Sequence, residues 1–280
     1  MIFYPDIAIE SVHSLLLDKI RVYFKSARQD KAVIGLSGGM DSALVAALAV
    51  DALGADNVHG IIMPSAFSTH HSVSDSVELS ERLGMTYDII PIGDIYEVYV
   101  RQLGSFFSDV EWHVALENIQ ARIRSNILMA YSNRYGALVL NTSNKSELSA
   151  GYGTLYGDLS GAIMVIGDLY KLQVYEMAGY INRDCERIPL SIIEKAPSAE
   201  LHPGQKDTDS LPPYDELDPV LHEYNDKGLS PEEIIAGGAD RSLVERIGKL
   251  RAAAAFKTMQ VPPVLTIGAG KPLLPEFKCI

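Results

Sequence analysis

The segment that most constrains the fold runs from an apolar stretch into a loop of small residues: Ala-Val-Ile-Gly-Leu-Ser-Gly-Gly-Met-Asp-Ser-Ala-Leu at 32–44. A buried strand, a loop of exposed backbone N–H groups and a helix N-terminus together form the usual layout of a phosphate site. Gly38 and Gly39 let the backbone approach a phosphate closely. Ser37 and Ser42 add hydroxyl donors. The sequence therefore predicts a phosphate-binding loop at the end of a parallel strand.

Asp41 narrows the kind of phosphate site. A carboxylate repels a phosphate unless a divalent cation lies between them, so Asp41 implies Mg²⁺. The loop is not a Walker A motif, because no Lys-Ser or Lys-Thr follows its second glycine. An ordinary glycine turn is the alternative, but it gives no reason for a carboxylate at this position.

Strands and helices alternate through the first half of the chain. Apolar runs predict buried strands at 31–36, 58–64, 86–91 and 137–140. Helical spacing of apolar residues predicts helices at 7–26, 41–53, 70–84 and 113–135. This alternation predicts an α/β fold, a doubly wound parallel sheet of about five strands with helices on both faces. Its ligands would bind at the carboxyl ends of the strands.

The remaining chain contains a long loop and a group of helices. Residues 196–213 are the longest stretch without periodicity, and loops of that length are usually functional or disordered. Helical spacing returns after it, near 215–227, 231–236 and 240–257. We expect one domain over 1–280, with a nucleotide-binding core at 28–195 and a helical C-terminal segment at 214–280. Residues 64–76 and 196–213 should be mobile and close over the phosphate site.

Composition argues against several classes of protein. The formal net charge of −12 disfavours binding of nucleic acid through its phosphates, although a few local cations and Mg²⁺ suffice for a nucleotide. No apolar stretch approaches the roughly 20 residues that span a membrane, and the N-terminus lacks the pattern of a signal peptide. Cys185 and Cys279 lack metal-ligand partners, so neither a disulfide framework nor a zinc site is expected. We expect a cytoplasmic protein that binds neither nucleic acid nor membrane.

A second polar cluster follows the strand at 137–140. It comprises Asn-Thr-Ser-Asn-Lys-Ser-Glu at 141–147 and Gly-Tyr-Gly-Thr-Leu-Tyr-Gly-Asp at 151–158. Hydroxyls and an amide at a strand end suit nucleotide binding, and Glu147 offers a second carboxylate for a cation. Helix capping, with Ser or Thr as the cap and Glu in the first turn, accounts for the first run but not for the second.

These motifs together closely resemble those of NAD synthetases, a Rossmann-like family of ATP pyrophosphatases. The matching motifs occur in the family's order at 35–42, 117–124, 144–147, 156–158 and 195–201. The resemblance implies ATP-dependent amidation of deamido-NAD with ammonia: ATP adenylates the nicotinate carboxylate, pyrophosphate leaves, and ammonia displaces AMP to give NAD. It also implies Mg²⁺ as the cofactor and a homodimer in which the partner helps to form the deamido-NAD site.

The resemblance assigns roles at the matching positions. Asp41 and Glu147 would bind Mg²⁺. ATP would contact Gly35, Leu36, Ser37, Gly38, Gly39, Asp41, Ser42, Met63, Thr142, Lys171 and Ser198. Deamido-NAD would contact Arg124, Tyr156, Asp158 and Lys257. The catalytic residues would be Asp41, Lys171 and Asp158, with Lys171 neutralising the outer phosphates; the alternative for Lys171 is a solvated helix lysine.

Two arginines of the second matching motif require a choice. Arg122 and Arg124 lie two residues apart in the predicted helix 113–135, so they point about 200° from each other and cannot both face one pocket. The family position that contacts deamido-NAD matches Arg124. Arg122 is therefore expected to form a structural ion pair.

Some positions depart from the ammonia-dependent members of the family. Leu155 stands where a Lys is common and Ala162 where an Asp is common, and both positions contact deamido-NAD in the family. Thr258 and Met259 stand where arginines are common. The run at 154–162 looks more like the synthetase domain of the glutamine-dependent enzymes.

The two cysteines indicate which compound supplies the nitrogen, because release of ammonia from glutamine usually needs a catalytic cysteine. Glutamine-dependent enzymes also carry an N-terminal amidase domain with a catalytic cysteine, for which this chain has no room. Neither Cys185 nor Cys279 has a histidine nearby in the sequence. We therefore expect ammonia to be the donor, and a separate amidase could supply it.

Two other functions share the first loop. A tRNA-thiolating ATP pyrophosphatase should carry a catalytic cysteine pair or a basic RNA surface, and this acidic sequence shows neither. A non-catalytic nucleotide-binding subunit would need fewer cation ligands than Asp41 and Glu147 provide. Both remain alternatives to the synthetase.

Overall fold

The strands of the protein form one parallel sheet. The computed structural model describes residues 8–107, 113–202 and 204–268. Its five strands are β1 (Lys31–Leu36), β2 (Val58–Ile62), β3 (Thr86–Ile89), β4 (Ala137–Asn141) and β5 (Ile163–Met164). They lie in the order β3-β2-β1-β4-β5, and every neighbouring pair is parallel. The predicted α/β fold with a doubly wound parallel sheet is confirmed.

Eleven helices accompany the sheet in the described ranges. They are α1 (Ile9–Ala27), α2 (Met40–Leu53), α3 (His70–Leu83), α4 (Gly93–Gln102), α5 (Val114–Tyr135), α6 (Lys145–Ala150), α7 (Lys171–Ile181), α8 (Leu190–Glu194), α9 (Tyr214–Asn225), α10 (Pro231–Ala236) and α11 (Arg241–Thr258). Each predicted helix is present, with ends within two residues of those expected. Helices α4, α6, α7 and α8 and strand β5 were not predicted. Helix α8 has five residues and strand β5 has two, which are too few to show an apolar period.

The order of the strands creates a crevice beside β1. The chain passes from β1 to β2 and β3 on one side, then returns to β4 and β5 on the other. Loops at the carboxyl ends of β1 and β4 therefore diverge, and such a switch point is the usual ligand site of an open α/β sheet. The register pairs Lys31 with Ala137 and Val33 with Val139, which brings the loops 37–39 and 142–144 side by side.

Both faces of the sheet are covered by helices. Ala32, Ile34 and Leu36 of β1 belong to an apolar core shared with α1, α2 and α7. Val33, between them in the sequence, belongs to a second core formed largely with α5. This alternation follows from the two-residue period of a strand. Because α2 is buried along most of its length, its first turn is held firmly behind the loop 37–39.

The C-terminal helices α9, α10 and α11 enclose a third apolar cluster, with Leu217, Leu221 and Val244 fully buried. Ala150 at the end of α6 and Tyr170 before α7 belong to the same cluster. The C-terminal helices therefore pack directly against the elements that carry the second polar cluster. Across the described ranges, no helix combines the length and apolar character needed to cross a membrane.

Candidate active site

The loops after β1 and β4 open into a cavity of about 280 Å³. Thirteen of the predicted site residues line it: Gly35, Leu36, Ser37, Gly39, Asp41, Ser42, Met63, Arg124, Thr142, Glu147, Asp158, Lys171 and Ser198. Gly38, Tyr156 and Lys257 lie outside the lining. The fold thus brings most of the predicted ATP set and half of the predicted deamido-NAD set to one cavity.

The first loop is organised by its two serines. The Ser42 hydroxyl donates to the carbonyl of Gly39 (3.0 Å) and accepts from the Ser37 N–H (3.3 Å). The Gly39 N–H donates to the Ser37 hydroxyl (3.2 Å). These bonds hold N–H and hydroxyl groups together at the N-terminus of α2. The dipole of that helix favours an anion at the same place.

Gly38 has a different role from its neighbours. Its φ of +72° lies in the left-handed region, and a Cβ atom there would lie 2.4 Å from the backbone oxygen of Ser72 in α3. Only glycine meets both conditions without strain. Gly38 therefore lets the loop pack against the start of α3, which explains why it does not line the cavity.

Asp41 lies in the first turn of α2 and is held from two sides. The Asn144 side-chain amide donates to Oδ1 (2.9 Å), and the Lys171 ammonium donates to Oδ2. Lys171 begins α7 and is only 3% exposed, so it is not the solvated helix lysine of the alternative interpretation. Three elements that are distant in the sequence thus meet at the Asp41 carboxylate.

Glu147 faces Asp41 across the Lys171 ammonium. The predicted capping box is present, but Asn144 rather than a Ser or Thr is the cap: its side chain accepts from the Glu147 N–H (2.9 Å). One carboxylate oxygen of Glu147 accepts from the Asn144 N–H (3.4 Å), and the other lies 3.5 Å from Lys171 Nζ. The cap therefore orients Glu147 as well as starting α6.

The charges of this group depend on one another. Burial, reinforced by Asp41, raises the pKa of Glu147 to about 8. Burial opposes the charge of Lys171, but attraction to Asp41 and Glu147 is larger and raises the pKa of the lysine. Two carboxylates that converge on one cation also fit Mg²⁺, which usually takes one or two carboxylates and completes its shell with phosphate oxygens and water.

Another part of the cavity lining contains Arg124 and Asp158. The Arg124 guanidinium donates from Nε to the carbonyl of Met63 (3.1 Å), and the Asp158 carboxylate accepts from the Thr154 N–H (2.7 Å). Removal from water lowers the pKa of Arg124 to about 10 against the opposing effect of Asp158. Burial raises the pKa of Asp158. Arg124 and Asp158 therefore offer one cation and one carboxyl group to a second substrate.

Arg122 points to a different surface, as the helical geometry predicts. It is exposed, and its Nε donates to the carbonyl of Leu155 (3.2 Å). Among the residues with described positions, this backbone contact takes the place of the expected ion pair. Arg122 therefore supports the 151–158 run through its main chain.

Tyr156 and Lys257 hold the same run from outside the cavity. Tyr156 has a φ of +62°, is 67% exposed, and donates its hydroxyl to the Gln260 side chain (2.6 Å). The Lys257 ammonium donates to the carbonyls of Gly151 and Gly153 (2.7 Å each). In this arrangement both side chains connect the run to the C-terminal end of α11.

The loop 196–213 adds a carboxylate that the sequence analysis did not assign. Glu200 lines the cavity and accepts from the Thr69 N–H (3.2 Å) and from the Ser72 hydroxyl (2.6 Å) at the start of α3. Lys195 lies 3.1 Å from the same carboxylate. Both charged residues belong to the matching motif at 195–201, which was the available signal. Residues 70–76, expected to be part of a mobile segment, belong to α3.

A second unassigned carboxylate of this loop is Asp207. It lines the cavity, is 5% exposed, and accepts from the hydroxyls of Tyr152 (3.1 Å) and Tyr214 (2.9 Å). The two tyrosines come from the 151–158 run and from α9. No local pattern in the sequence relates these three residues, because they meet only in the folded chain.

Comparison with known sequences identifies one family. A family model described as NAD synthase matches residues 12–261. The glutamine-dependent NAD(+) synthetase of Synechocystis sp. is 47% identical over 263 residues, which cover 94% of this chain and 47% of that protein. The chain spans about half the length of the curated relatives it matches.

Two solved structures are similar over nearly their whole length. The NMN synthetase of Francisella tularensis has a TM-score of 0.77 and 29% identity, with coverage of 96% of this chain and 100% of that one. The NH3-dependent NAD synthetase of Campylobacter jejuni has a TM-score of 0.73 and 33% identity, with coverage of 90% and 96%.

Proposed function

The chain belongs to the NAD synthase family, and from this premise we propose that it is a ligase that amidates deamido-NAD with ammonia. ATP is consumed, and the products are NAD, AMP and pyrophosphate. The observation that carries the proposal is the meeting of Asp41, Glu147 and Lys171 beside the phosphate-binding loop. A site that only bound a nucleotide would not need two carboxylates around a buried lysine.

The first step would take place at this end of the cavity. The nicotinate carboxylate attacks the α-phosphorus of ATP, and the bond from that phosphorus to the pyrophosphate oxygen breaks. The N–H groups of the loop 37–39 would bind the pyrophosphate, and Lys171 would neutralise its charge. Mg²⁺, held by Asp41 and Glu147, would supply further neutralisation of the phosphates.

The second step needs the acyl-adenylate and ammonia close together. Ammonia attacks the acyl carbon, the bond to the AMP oxygen breaks, and one proton leaves the nitrogen. Arg124 and Asp158 would hold deamido-NAD in the same cavity, so that the carboxylate lies near the α-phosphate. Positioning of this kind supplies much of the rate enhancement when two substrates must meet.

The direct test is product analysis with the purified chain. With ATP, Mg²⁺, deamido-NAD and ammonium, we expect NAD, AMP and pyrophosphate in equal amounts, and no NAD when ammonium is omitted. ATP consumption without NAD, or ATP binding without turnover, would favour the two alternatives, another ATP pyrophosphatase or a non-catalytic subunit. Isothermal titration of the protein with ATP and Mg²⁺, with and without deamido-NAD, would separate the synthetase from the two alternatives.

A second substrate deserves comparison because a similar structure is that of an NMN synthetase. The same chemistry on nicotinic acid mononucleotide would give NMN. Leu155 and Ala162 stand where the resemblance expects deamido-NAD contacts, and their loss would matter less for the smaller substrate. We nevertheless propose deamido-NAD as the better substrate, because the matching family model and the curated relatives are those of NAD synthetases. The ratio of kcat/KM for the two compounds tests this.

The donor and the assembly are further parts of the proposal. We infer that the chain itself uses ammonia, while the curated relatives that are glutamine-dependent are about twice as long. We also infer a homodimer, from the family resemblance, and a single functional domain over 1–280. Sedimentation equilibrium on the purified chain tests the dimer.

A further inference from the structure

The Asn-Lys-Ser-Glu motif at 144–147 contains two residues that the proposed reaction does not use. Lys145 and Ser146 are buried and lie outside the lining of the cavity. The Lys145 ammonium contacts Asp226, the residue that follows α9 (2.6 Å), and the Ser146 hydroxyl donates to Asp218 within that helix. Both residues therefore connect the start of α6 to α9.

Asp218 also binds the start of α7. Its Oδ1 accepts from the Ser146 hydroxyl, and its Oδ2 accepts from the Leu172 N–H (2.9 Å). The Ser146 oxygen in turn accepts from the Lys171 N–H (2.9 Å). Two hydrogen bonds to a carboxylate with no exposed surface, and a third between Lys171 and Ser146, thus join the first turns of α6 and α7.

These two turns carry charged groups of the ATP site. Glu147 follows Ser146 directly, and Lys171 is the residue whose N–H the Ser146 oxygen accepts. The two charged ends lie 3.5 Å apart, between Glu147 Oε1 and Lys171 Nζ. Asp218 binds the Ser146 side chain in the first turn of α6 and a backbone N–H in the first turn of α7. A shift of either turn would therefore change this separation and the contact of Lys171 with Asp41.

We propose that Asp218 is a positioning residue that fixes Lys171 and Glu147 relative to each other for binding of ATP. The inference rests on the proposed function, since it takes ATP and its cation as the ligands of these two side chains. Asp218 does not line the cavity, so it acts through the backbone and Ser146. The burial of a carboxylate here is offset by the two hydrogen bonds it accepts and by the N-terminus of α7, which favours a negative charge.

Asp226, the residue that follows the last turn of α9, provides a control. Its carboxylate is partly buried, whereas that of Asp218 is fully buried, and it binds the side chains of Lys145 (2.6 Å), Tyr170 (2.8 Å) and His222 (2.7 Å). Within the described residues, the hydrogen bonds of the Asp226 carboxylate do not include one from a backbone N–H of α7. Loss of Asp226 should therefore reduce stability without moving Lys171.

The experiment compares Asp218→Asn with Asp226→Asn in the purified chain. An amide can accept only one of the two bonds that Asp218 accepts and brings an N–H against the other donor. We expect the KM for ATP to rise about 10-fold and kcat to fall by about 10- to 100-fold, as expected for a small misplacement of reacting groups. The KM for deamido-NAD should change less than about 2-fold. Asp226→Asn should lower Tm and leave both KM values unchanged.

Hydrogen exchange gives a readout that does not depend on the reaction. The amides of Lys171 and Leu172 should exchange faster in Asp218→Asn and in Ser146→Ala, which keeps the carboxylate and removes the hydroxyl, but not in Asp226→Asn. Unchanged exchange at these amides together with unchanged KM for ATP would overturn the proposal. If the parent chain makes no NAD, the proposed function fails, and the exchange result still decides whether Asp218 positions α7.

Discussion

Individual residues at this site are defined by the partners that surround them. Lys171 is buried between Asp41 and Glu147, and a lysine so placed keeps its charge because two carboxylates offset the loss of hydration. Asn144 caps α6 and binds Asp41 with the same side chain. Substitutions of single residues can therefore separate the proposed binding of the cation from the stability of the fold.

Asp41→Asn and Glu147→Gln should each reduce turnover by roughly 100-fold or more, because each removes a carboxylate that would bind Mg²⁺ between the phosphates. The fold should persist, since Gln at position 147 can still complete the capping box with Asn144. Steady-state kinetics and thermal melting of both variants check this. Wild-type turnover in either one would contradict the cation assignment.

Arg124→Ala should raise the KM for deamido-NAD about 10-fold or more and change the KM for ATP much less, because Arg124 lines the cavity and we propose that it binds deamido-NAD. Arg122→Ala is the matched control from the same helix. It loses a bond to the Leu155 carbonyl and should lower Tm slightly. The reverse pattern would show that the other arginine faces the substrate.

Asp51 should make the stability of the fold dependent on pH. Burial opposes its ionisation, but His13 and Arg187 outweigh burial and lower its pKa to about 2. Arg187 binds both carboxylate oxygens (2.7 and 2.9 Å). A lowered pKa stabilises the fold above about pH 4, and this contribution is lost as the pH falls towards 2.

The size of this effect is about 1 kcal/mol at neutral pH, after allowance for partial exposure of the pair. Urea unfolding of wild type and Asp51→Asn at pH 7 and at pH 3 measures it. We expect the difference in unfolding free energy between the two proteins to shrink at the lower pH. If this difference in unfolding free energy is the same at both pH values, the contact stabilises the fold through packing and not through the charge of Asp51.

At the scale of elements, the loop 196–213 is fastened at several points around the cavity. Glu200 binds the first turn of α3, and the Gln120 side chain of α5 donates to the carbonyl of Leu201 (2.8 Å). Asp207 binds Tyr214 at the start of α9. The loop therefore spans from one side of the site to the other, which is the position a lid would need.

Glu200→Ala should loosen this loop because the carboxylate accepts from both Thr69 and Ser72. Hydrogen exchange across 196–213 should become about 10-fold faster or more, and the KM for ATP should rise. Glu194→Ala, at an exposed position in α8, is the control and should change neither.

The same method tests the expected closure. In wild type, protection of 64–76 and 196–213 should increase when ATP and deamido-NAD are both present, since closure would exclude water from the acyl-adenylate. Equal protection of both segments with and without substrates would argue against a lid.

At the scale of the whole molecule, the sheet brings most of the residues proposed to bind the two substrates to one cavity, and the C-terminal helices pack against the elements beside it. Helix α9 contributes to the third apolar cluster and also holds α6 and α7 through Asp218. Substitutions that destabilise the C-terminal helices should therefore also weaken binding at the proposed ATP site. Of the two cysteines, Cys185 is exposed and does not line the cavity, and Cys279 lies outside the described residues.

The choice of nitrogen donor is a prediction about the whole chain. We expect NAD from ammonium and none from glutamine, because release of ammonia from glutamine requires an activated nucleophile. Cys185→Ser and Cys279→Ser should leave the ammonium-dependent activity within about 2-fold of wild type. Formation of NAD from glutamine, lost in either variant, would contradict this prediction, and restoration of glutamine use by an added amidase would support a separate supplier.

The sequence by itself determined the frame of this protein. The parallel strands, the loop after β1 and the divergence of Arg122 from Arg124 follow from local patterns, since strand and helix periods and glycine turns act over a few residues. The resemblance added the family and selected Asp41, Glu147 and Lys171. The short elements β5 and α8 were missed because two and five residues carry little periodic signal.

Only the tertiary structure decided how these residues are held. Lys171 meets Asp41 because β1 and β4 are neighbours in the sheet and α7 packs beside α2. Asp218 ties α6 to α7, and Glu200 ties its loop to α3, through bonds between residues far apart in the chain. Such partners depend on the order of the strands and the packing of the helices. A hydrogen bond between residues far apart in the chain produces no periodic pattern in the sequence.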